Sequence, residues 1–426
     1  MSTSQVCLNR VGIFYYGEGV KMGRFSIILV VGFAIIAGGL KLNNSRLCRD
    51  AQEISNEKYL EAAARNTTNS VVNLCMEQLG QNFGWKDGFS NVNMGCGSGS
   101  AIVEDATDDP SIEWNQVRIT ATGTYGGESQ TAVVTVRQTP FSEFAYFTDS
   151  EPPIYFVTGD TMRGPIHTNG KFHIWGDPVF FGLVSSKGNF WVGTGNPEFK
   201  AGTNFGCEEI PLPVDMSIIQ GKAQNGGVLF GGDTNIEFLS DGTLNWEVFH
   251  DDHHSPVVDS SGNIDIGTIN GVLATIDDHD FYIKGTLNGR VTLLSDGDIW
   301  IEDDLLYASD PLTDPNSDDI LGLIAMKDVI VADNAANRND CQIYATIMAL
   351  DKSFEVENHG SGSPRGTLTL VGGVIQKMRG PVGTAWWNGS IKSGFQKHYT
   401  YDMRFQTKAP PFYPILRRTS IVSWYE

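Results

Sequence analysis

The chain has 426 residues, a formal net charge of −20 and a sequence pI near 4.7. Such acidity disfavours nucleic acids and anionic lipid surfaces as partners, because both repel a negatively charged protein. Aromatic residues make up 11% of the chain and charged residues only 19%, a composition that excludes extended disorder. The length allows one large domain or roughly two to three ordinary ones.

The first strong signal along the chain is an uninterrupted apolar run at residues 25–40, FSIILVVGFAIIAGGL. As a helix it measures about 24 Å against roughly 30 Å for the hydrocarbon core of a bilayer, and the flanking Arg24 and Lys41 extend its reach. Its end, GGLKL, lacks the small-residue pattern of a signal-peptidase site. We therefore predict a retained transmembrane or assembly helix, with contacts made by Phe25, Ile28, Val31, Ile35 and Leu40.

The polar sequence that follows, residues 43–82, continues the helical pattern. It contains no proline and only one glycine, and its weak apolar stripe consists of Leu47, Ala51, Ile54, Ala62, Val71, Leu74 and Leu79. So polar a helix needs a packing partner, since most helical stability comes from a buried apolar face. We expect one helix over residues 23–82 that packs on its own β domain or on neighbouring copies.

Residues 1–22 show neither a signal-peptide nor a membrane pattern. Codons for Gly17-Glu18-Gly19 are compatible with a purine-rich ribosome-binding site upstream of Met22. We therefore interpret residues 1–22 as a leader or a mis-assigned start, and expect translation to begin at Met22.

The six cysteines include no C-x-x-C pair, which disfavours a zinc site. A disulfide between Cys75, near the end of the predicted helix, and Cys96, in the next loop, would close about 20 residues and contribute about 3 kcal/mol. Free thiols are the alternative, and the spacing does not decide between the two. Cys48 has no assigned partner.

Residues 83–138 are expected to form a small β module. A Gly/Asn/Ser-rich loop at 83–100 precedes two alternating runs on either side of Gly126-Gly127. Alternation around a two-glycine turn is typical of a β-hairpin.

Residues 139–426 consist of short alternating runs separated by Gly, Asn and Asp, for example PIHTNG, KFHIWGD, RVTLLSDG and DIWIEDD. Such runs suit the stacked rungs of a β-helix or solenoid, and a β-sandwich is the alternative. The rung spacing is irregular, so no exact repeat is assigned. The predicted fold class is therefore α+β: a long N-terminal transmembrane helix followed by a mainly β surface domain.

An apolar helix that continues into a weakly amphipathic one, ahead of a β-rich domain, resembles the type IV pilins and pilus-associated minor pilins. In that family the apolar segment holds the subunit in the membrane and then packs in the filament core. The family's leader ends in Gly before an apolar residue; here Arg24 stands between Gly23 and Phe25. Ile28, Leu29 and Val30 lie where the family has an acidic residue, so leader processing stays open.

Several short segments carry a second resemblance: FAYF at 144–147, RGPIHTN at 163–169, GDP at 176–178, GGVIQ at 372–376, RGPVG at 379–383, YTYDMR at 399–404 and PPFYP at 410–414. Together they resemble uncharacterised bacterial domains found behind pilin-like helices, over about residues 141–415. This resemblance implies a cell-surface protein and no particular chemistry.

Metal-binding residue types cluster twice. On a strand, His250, Asp252 and His254 would share one face, although the surrounding turn residues equally indicate a solvated loop. A second cluster, Asp310, Asp314 and Asp318, could offer carboxylate oxygens to calcium. It departs from the EF-hand pattern, and Asx turns are the alternative interpretation.

Alternation in the segment DIWIEDD places Trp300 on the same face as Asp298 and Glu302. An outward aromatic ring between two acids suits carbohydrate binding, while a tryptophan that fills the core is the alternative. The exposed-ring interpretation extends to Trp191, Trp386 and Trp387.

The sequence contains no G-x-S-x-G, P-loop or H-E-x-x-H motif. We therefore expect a non-enzymatic structural protein of the cell surface without a cofactor, a pilin-like filament or pilus-associated subunit anchored through residues 25–40. Its partners would be its own copies or other pilin-like subunits. The alternative is a tethered β-helix that binds or cleaves polysaccharide with Asp298, Glu302 and Asp304 as its acids and no identified base.

Overall fold

The computed structural model describes residues 23–250, 257–386 and 390–426, so the interpretation of residues 1–22 lies outside the described residues. The fold is α+β, as predicted. Helix α1 spans Arg24–Gln81, 58 residues without a break, and is about 87 Å long. A large β-rich part follows it.

The strands are short and follow one another in quick succession. The first group comprises β1 Phe89–Met94, β2 Gly97–Asp105, β3 Gln116–Tyr125, β4 Glu128–Pro140, β5 Tyr146–Ser150, β6 Phe156–Val157, β7 Thr161–Met162, β8 Ile166–Thr168, β9 His173–Trp175, β10 Val179–Phe180, β11 Val184–Ser186, β12 Val192–Thr194, β13 Glu198–Phe199 and β14 Thr203–Phe205. Helix α2, Ser217–Gln224, comes next.

The second group follows α2. It comprises β15 Val228–Phe230, β16 Asp233–Phe238, β17 Thr243–His250, β18 Val257–Asp265, β19 Val272–Thr275, β20 Phe281–Leu287, β21 Arg290–Ser295, β22 Ile299–Tyr307, β23 Ile320–Ala325, β24 Val329–Val331, β25 Cys341–Ala349, β26 Phe354–Val356, β27 Pro364–Met378, β28 Gly383–Ala385, β29 Ile391–Thr400 and β30 Ile415–Tyr425.

A five-stranded antiparallel sheet, the small sheet, lies against α1 in the order β1-β2-β3-β4-β30. The predicted hairpin is confirmed as β3 and β4, with Tyr125 opposite Glu128. The turn residues Gly126 and Gly127 have φ values of 59° and 96°. Positive φ at both central residues is what a tight hairpin turn of this kind requires, and glycine supplies it without steric cost.

Most of the remaining strands pair in parallel. The long sheet has the order β15-β19-β21-β23-β25-β27-β5-β8-β11-β14. A second ladder runs β16-β20-β22-β24-β26. A third joins the ends of β20 and β22 to β25, β27 and β29. Two further three-stranded ladders are β6-β9-β12 and β7-β10-β13.

The chain enters the long sheet in its middle. It begins at β5, proceeds through β8 and β11 to β14 at one end, and crosses to β15 at the other end. It then returns strand by strand to β27, which pairs with β5 through Val374 and Tyr146 and through Ile375 and Phe147. We call this pairing the seam.

The core lies between the parallel ladders. Strand β22 shows the predicted alternation, with Ile299 and Ile301 buried and Trp300 between them half-buried, whereas β23 is buried along its whole length. The largest apolar cluster joins such residues from successive strands, including Ile283, Ile301 and Ile343. A separate cluster joins α1 to the small sheet.

Candidate functional site

The N-terminal part of α1 stands clear of the rest of the described chain. The five side chains predicted to make assembly contacts are all exposed: Phe25 at 88%, Ile28 at 68%, Val31 at 50%, Ile35 at 69% and Leu40 at 61%. The helix is long and apolar enough to cross a membrane. A contiguous apolar surface of this kind marks a site of contact with a membrane or another protein.

Exposure continues well past the apolar run. Leu47, Ile54 and Tyr59 are exposed as well, so α1 projects from residue 24 to residue 59. That free part is about 54 Å long. Leu47 and Ile54 therefore do not belong to the face that packs on the β domain, although the sequence placed them in one stripe with Val71 and Leu79.

The C-terminal part of α1 is docked on the small sheet. Its buried side chains are Ala64, Thr68, Val71, Cys75 and Leu79, each at most 1% exposed. Their spacing of three to four residues puts them on one face of the helix. They pack against β2, β3 and β4, whose inward residues include Val103, Ile119 and Val134.

Glycines of the small sheet allow this close approach. A Cβ atom at Gly99 would lie 2.3 Å from Cγ2 of Val71, and one at Gly123 would lie 2.4 Å from the backbone nitrogen of Thr68. Real Cβ atoms do not tolerate such distances, so side chains at these positions would push the helix away. The sequence signal was present in Gly97 and Gly99 of β2 and in Gly123 of β3, but it points to a partner only once the helix is placed.

The hydroxyl of Thr68 links the helix to the hairpin. It accepts a hydrogen bond from the backbone N–H of Gly123 at 3.0 Å and lies 2.9 Å from the carbonyl oxygen of Gln130 and 3.0 Å from that of Ala64. Thr68 is 1% exposed. A buried hydroxyl with backbone partners on both sides fixes the register between α1 and the sheet.

The structure does not join Cys75 to Cys96. Both are free thiols, Cys75 buried in the helix–sheet contact and Cys96 exposed. Burial raises the pKa of Cys75 to about 11. Cys48, on the projecting part of α1, is free and exposed.

The aspartates of the predicted calcium loop cap backbone amides. Oδ1 of Asp310 accepts from the N–H of Leu312 at 2.9 Å, and Oδ1 of Asp314 accepts from the N–H of Asn316 at 3.0 Å. Asp318 is exposed. No group of three or more metal-ligand side chains comes together within the described residues. The geometry is that of Asx turns, and it lends calcium binding no support.

Of the His250 cluster, Asp252 and His254 lie outside the described residues. Nδ1 of His250 lies 2.8 Å from Oδ1 of Asp259 on the neighbouring strand. The structure therefore places His250 in a contact across the β17–β18 hairpin.

Trp300 shares its face with Asp298 and Glu302, as predicted, but its ring is already engaged. It stacks on Tyr282 with ring centroids 6.2 Å apart, and its Nε1–H donates to Asp280 at 3.3 Å. Trp300 is half-buried.

The three acids considered for polysaccharide chemistry accept hydrogen bonds from neighbouring segments of the β-rich part. Asp298 accepts from the backbone N–H of Asp328 at 2.8 Å, Asp304 from that of Gln342 at 2.7 Å, and Glu302 from the Nδ2–H of Asn334 at 2.8 Å.

Asp298 belongs to a row of such contacts. Asp233 accepts from the N–H of Asp280, Asp280 from that of Asp298, and Asp328 from that of Ser353, at 3.0, 2.7 and 2.8 Å. Burial is the main cause that raises the pKa of Asp280 and of Asp298. Each carboxylate in the row accepts a hydrogen bond from a backbone N–H of a later segment of the chain, which is a structural role.

Comparison with known proteins identifies one domain family. Residues 114–206 match the family described as a domain of unknown function (DUF4900). No curated protein matches the chain. Among solved structures, it is similar to the crystal structure of the competence-associated pilin ComZ from Thermus thermophilus, with 12% sequence identity and a TM-score of 0.34, over 86% of this chain and 97% of that one. A TM-score of this size does not establish a common fold.

Proposed function

We propose that the protein is a pilin-like structural subunit, anchored in the membrane by the projecting part of α1 and displaying its β-rich part at the cell surface. The observation that carries the proposal is the contrast within α1: residues 25–40 are apolar on every side and largely exposed, while residues 60–79 are docked on the small sheet. An apolar surface of this size requires cover from outside the chain.

The anchoring mechanism follows from the same helix. On insertion, the side chains of residues 25–40 move from water into lipid, and each buried CH₂ group contributes about 0.8 kcal/mol to the free energy of anchoring. In an assembled state, the same surface packs against the helices of other subunits. Because α1 is continuous, its docked part sets the direction in which the free part leaves the β domain.

We further propose that the parallel ladders are faces of a β-helix with three strands per turn. In residues 156–205 the paired strands recur after 18 or 19 residues on every face: Phe156 pairs with Ile174, Thr161 with Val179, Ile166 with Val184, and Val184 with Thr203. Strands stacked in parallel at a constant interval are the pattern of a solenoid. The domain division that we propose is α1, a small β module at 83–138, and the β-helix at 139–426, with β30 returning to the small sheet.

Deletion of residues 23–59 tests the anchor. We expect the remaining chain to be soluble and monomeric, with an unchanged far-ultraviolet circular dichroism signal from the strands, while the full chain sediments with membranes. A deletion variant that still sediments with membranes would overturn the proposal. The matched control replaces residues 41–59 with an equally long Glu/Ala/Lys helix and keeps residues 25–40; it should remain membrane-bound.

Assembly requires a separate test. Two differently tagged full-length copies carrying Ile35→Cys, in which the exposed Cys48 and Cys96 are replaced by serine here and in the control, are expressed together and oxidised in the membrane. We expect a crosslinked dimer, since the apolar faces of neighbouring copies meet there. The control, Glu53→Cys, lies on the exposed polar part of α1 and should crosslink less. Equal crosslinking at both positions would contradict packing through the apolar run.

A further inference from the structure

The seam leaves a cavity in the wall of the β domain. Here the long sheet is continuous through β27, β5 and β8. Within the part of the chain that the structure describes, the ladder that ends at β26 does not pair with β6, and β29 does not pair with β7. A cavity of about 560 Å3 lies between these unpaired edges. Its volume falls within the usual range for small-molecule sites, roughly 300–1,000 Å3.

The lining of this cavity is cationic although the chain carries a net charge of −20. Arg163, Arg379 and Lys397 contribute to the lining, together with His398, whereas Asp160 is the acid among the described lining residues. This excess of basic side chains in a concave site attracts anions, because low-dielectric walls concentrate the field.

Arg379 is held rigidly with unused donors. Its side chain is 4% exposed, and its guanidinium carbon lies 4.1 Å from the ring centroid of Phe156. Its Nη1–H donates to the carbonyl oxygen of Ile154 at 2.9 Å. A guanidinium has five N–H donors, and the bond to Ile154 is the one hydrogen bond that Arg379 makes among the described residues, although the group lines the cavity.

The nearest acid, Glu151, lies beside Arg379 without a hydrogen bond to it. Oε2 of Glu151 lies 4.0 Å from Nη1 of Arg379, and that oxygen is buried without a hydrogen-bond partner among the described residues. The other oxygen, Oε1, accepts from the Tyr146 hydroxyl at 3.2 Å. Burial is the main cause that raises the pKa of Glu151, and Arg379 acts in the opposite direction.

Lys397 is the second cation of the site. Its side chain is exposed to the solvent of the cavity and has no hydrogen-bond or ion-pair partner in the described part of the chain. Desolvation by the walls of the cavity is the main cause that lowers the pKa of Lys397 to about 7, and the positive charge of nearby Arg379 is the second. Asp160 and Glu151 act in the opposite direction. An anion bound beside it would favour the charged ammonium.

The rest of the lining combines polar and aromatic groups with the apolar side chains of Met162, Val374 and Val382. Gln376, Gln396, Thr367 and Thr400 offer amide and hydroxyl groups, and Tyr399 offers an aromatic ring. Hydroxyl-rich ligands are held by groups of this kind, with an aromatic face against the less polar side of the ring.

We propose that the cavity at the seam binds a small anionic sugar, whose carboxylate or phosphate group is held between Arg379 and Lys397. The sugar hydroxyls then face the amide and hydroxyl groups of the lining. Binding ties β29 to the strands that follow β5, and so bridges the two edges that backbone hydrogen bonds leave unpaired.

Titration calorimetry on the full chain in detergent micelles tests this proposal with glucuronate, glucose 6-phosphate, glucose and inorganic phosphate as probes. We expect glucuronate, glucose 6-phosphate or both to bind with a Kd of 1 mM or tighter, and at least tenfold more tightly than either glucose or inorganic phosphate. The two charged probes distinguish a carboxylate from a phosphate ligand. Failure of both, or equal affinity for glucose or inorganic phosphate, would overturn the proposal.

The dependence on pH provides a second readout that does not need a variant. The ligand binds the protonated form of Lys397, so its affinity should fall as the pH rises through 7 towards 9, and binding near pH 7.5 should take up protons. Arg163, Arg379, Asp160, Glu151, His398, Tyr146 and Tyr399 are the other titratable groups around the cavity. An affinity that is constant over this range would contradict the role of Lys397.

Lys397→Met should weaken binding of the anionic sugar at least tenfold and should make the affinity independent of pH between pH 7 and 9. The matched control is Lys377→Met, which removes a half-exposed lysine paired with Asp351 and should leave binding unchanged. Unfolding midpoints of both variants establish that any loss of affinity is local. Equal effects of the two substitutions would overturn the assignment.

Discussion

The two parts of α1 differ in burial, and the difference is the opposite of what their hydropathy alone predicts. The more apolar part, residues 25–40, is exposed, and the more polar part, residues 60–79, is buried against the small sheet. Within one polypeptide, burial normally follows apolar character because water drives apolar surface inward. The inversion indicates that the two parts are matched to different surroundings: an apolar phase or other helices for the first, a glycine-lined sheet for the second.

The free part and the docked part of α1 are also stabilised in different ways. The free part meets the sheet at its last residue, where the Tyr59 hydroxyl lies 3.4 Å from that of Tyr125, so the folding of the rest depends on the environment that it enters. The docked part relies on close approach, with Ala64 and Thr68 on the helix facing Gly123 on the sheet. Each of these modes predicts its own response to substitution.

The largest effect is expected from a charge in the free part. Ile35→Asp places a carboxylate in the middle of the apolar run, at a cost of about 2.5–3.5 kcal/mol for insertion. The membrane-bound fraction after alkaline extraction should fall sharply. Ile54→Asp, on the exposed polar part, serves as the control and should stay membrane-bound; a similar loss for both would remove the distinction between the two segments.

A bulky side chain at the contact should undock the second part. In Gly99→Val the new side chain collides with Val71, and overpacking of this kind costs typically 1–3 kcal/mol. Urea unfolding and limited proteolysis of α1 would detect it.

The control for this substitution is Gly80→Ala, a helical position with open space around it. It should stabilise the chain by up to about 1 kcal/mol through helix propensity. If Gly99→Val unfolds at the same urea concentration as the unmodified chain, the close approach is not energetically important.

The hydroxyl of Thr68 should contribute less to the free energy of unfolding than the close packing of α1 on the glycines of the small sheet. Thr68→Val keeps the volume but leaves the N–H of Gly123 without its partner, at a cost of about 1–3 kcal/mol in the free energy of unfolding. Ser70→Ala removes an exposed hydroxyl from the same helix turn and should change stability by less than about 0.5 kcal/mol. Equal values for the two variants would argue against the link between helix and hairpin.

Thiol labelling compares the two parts with the smallest perturbation. Single-cysteine variants that retain Cys48 or Cys75 are treated with a maleimide at pH 7. Burial raises the pKa of Cys75 to about 11, about two units above its usual value, which lowers the thiolate fraction roughly 100-fold. Cys48 should react quickly and Cys75 only after unfolding; fast labelling of native Cys75 would show that the second part is not docked.

The sequence predicted those features whose signal is local. A contiguous apolar run, a two-glycine turn and the alternation around Trp300 can each be recognised within ten to twenty residues, and all three match the structure. The docked face was not recognised, because Ala64, Thr67 and Thr68 carry little hydrophobic signal. The stripe inferred instead included Leu47 and Ile54, which are exposed.

Features that depend on distant residues could not be predicted. The cavity joins Arg379 and Lys397 to Arg163, and the segment RGPVG that contains Arg379 stood out only through its family resemblance. Likewise, the sequence suggested a catalytic role for the acids Asp298 and Asp304. In the structure they accept hydrogen bonds from the backbone N–H groups of Asp328 and Gln342, which lie 30 and 38 residues away. No local pattern records such pairings.

The seam sets the order in which the β domain is completed. Tyr146 of β5 pairs with Val374 of β27. More than half of the chain lies between these two residues and must be synthesised before they can pair. Closing so long a loop costs entropy that is recovered only when the contact forms. We therefore expect two arms of the long sheet to form first, β5 to β14 and β15 to β25, and β27 to join them last by pairing with both β25 and β5. A chain stopped before residue 364 would hold both arms, with the edges of β5 and β25 still unpaired, so the addition of β27 is the step that completes the long sheet.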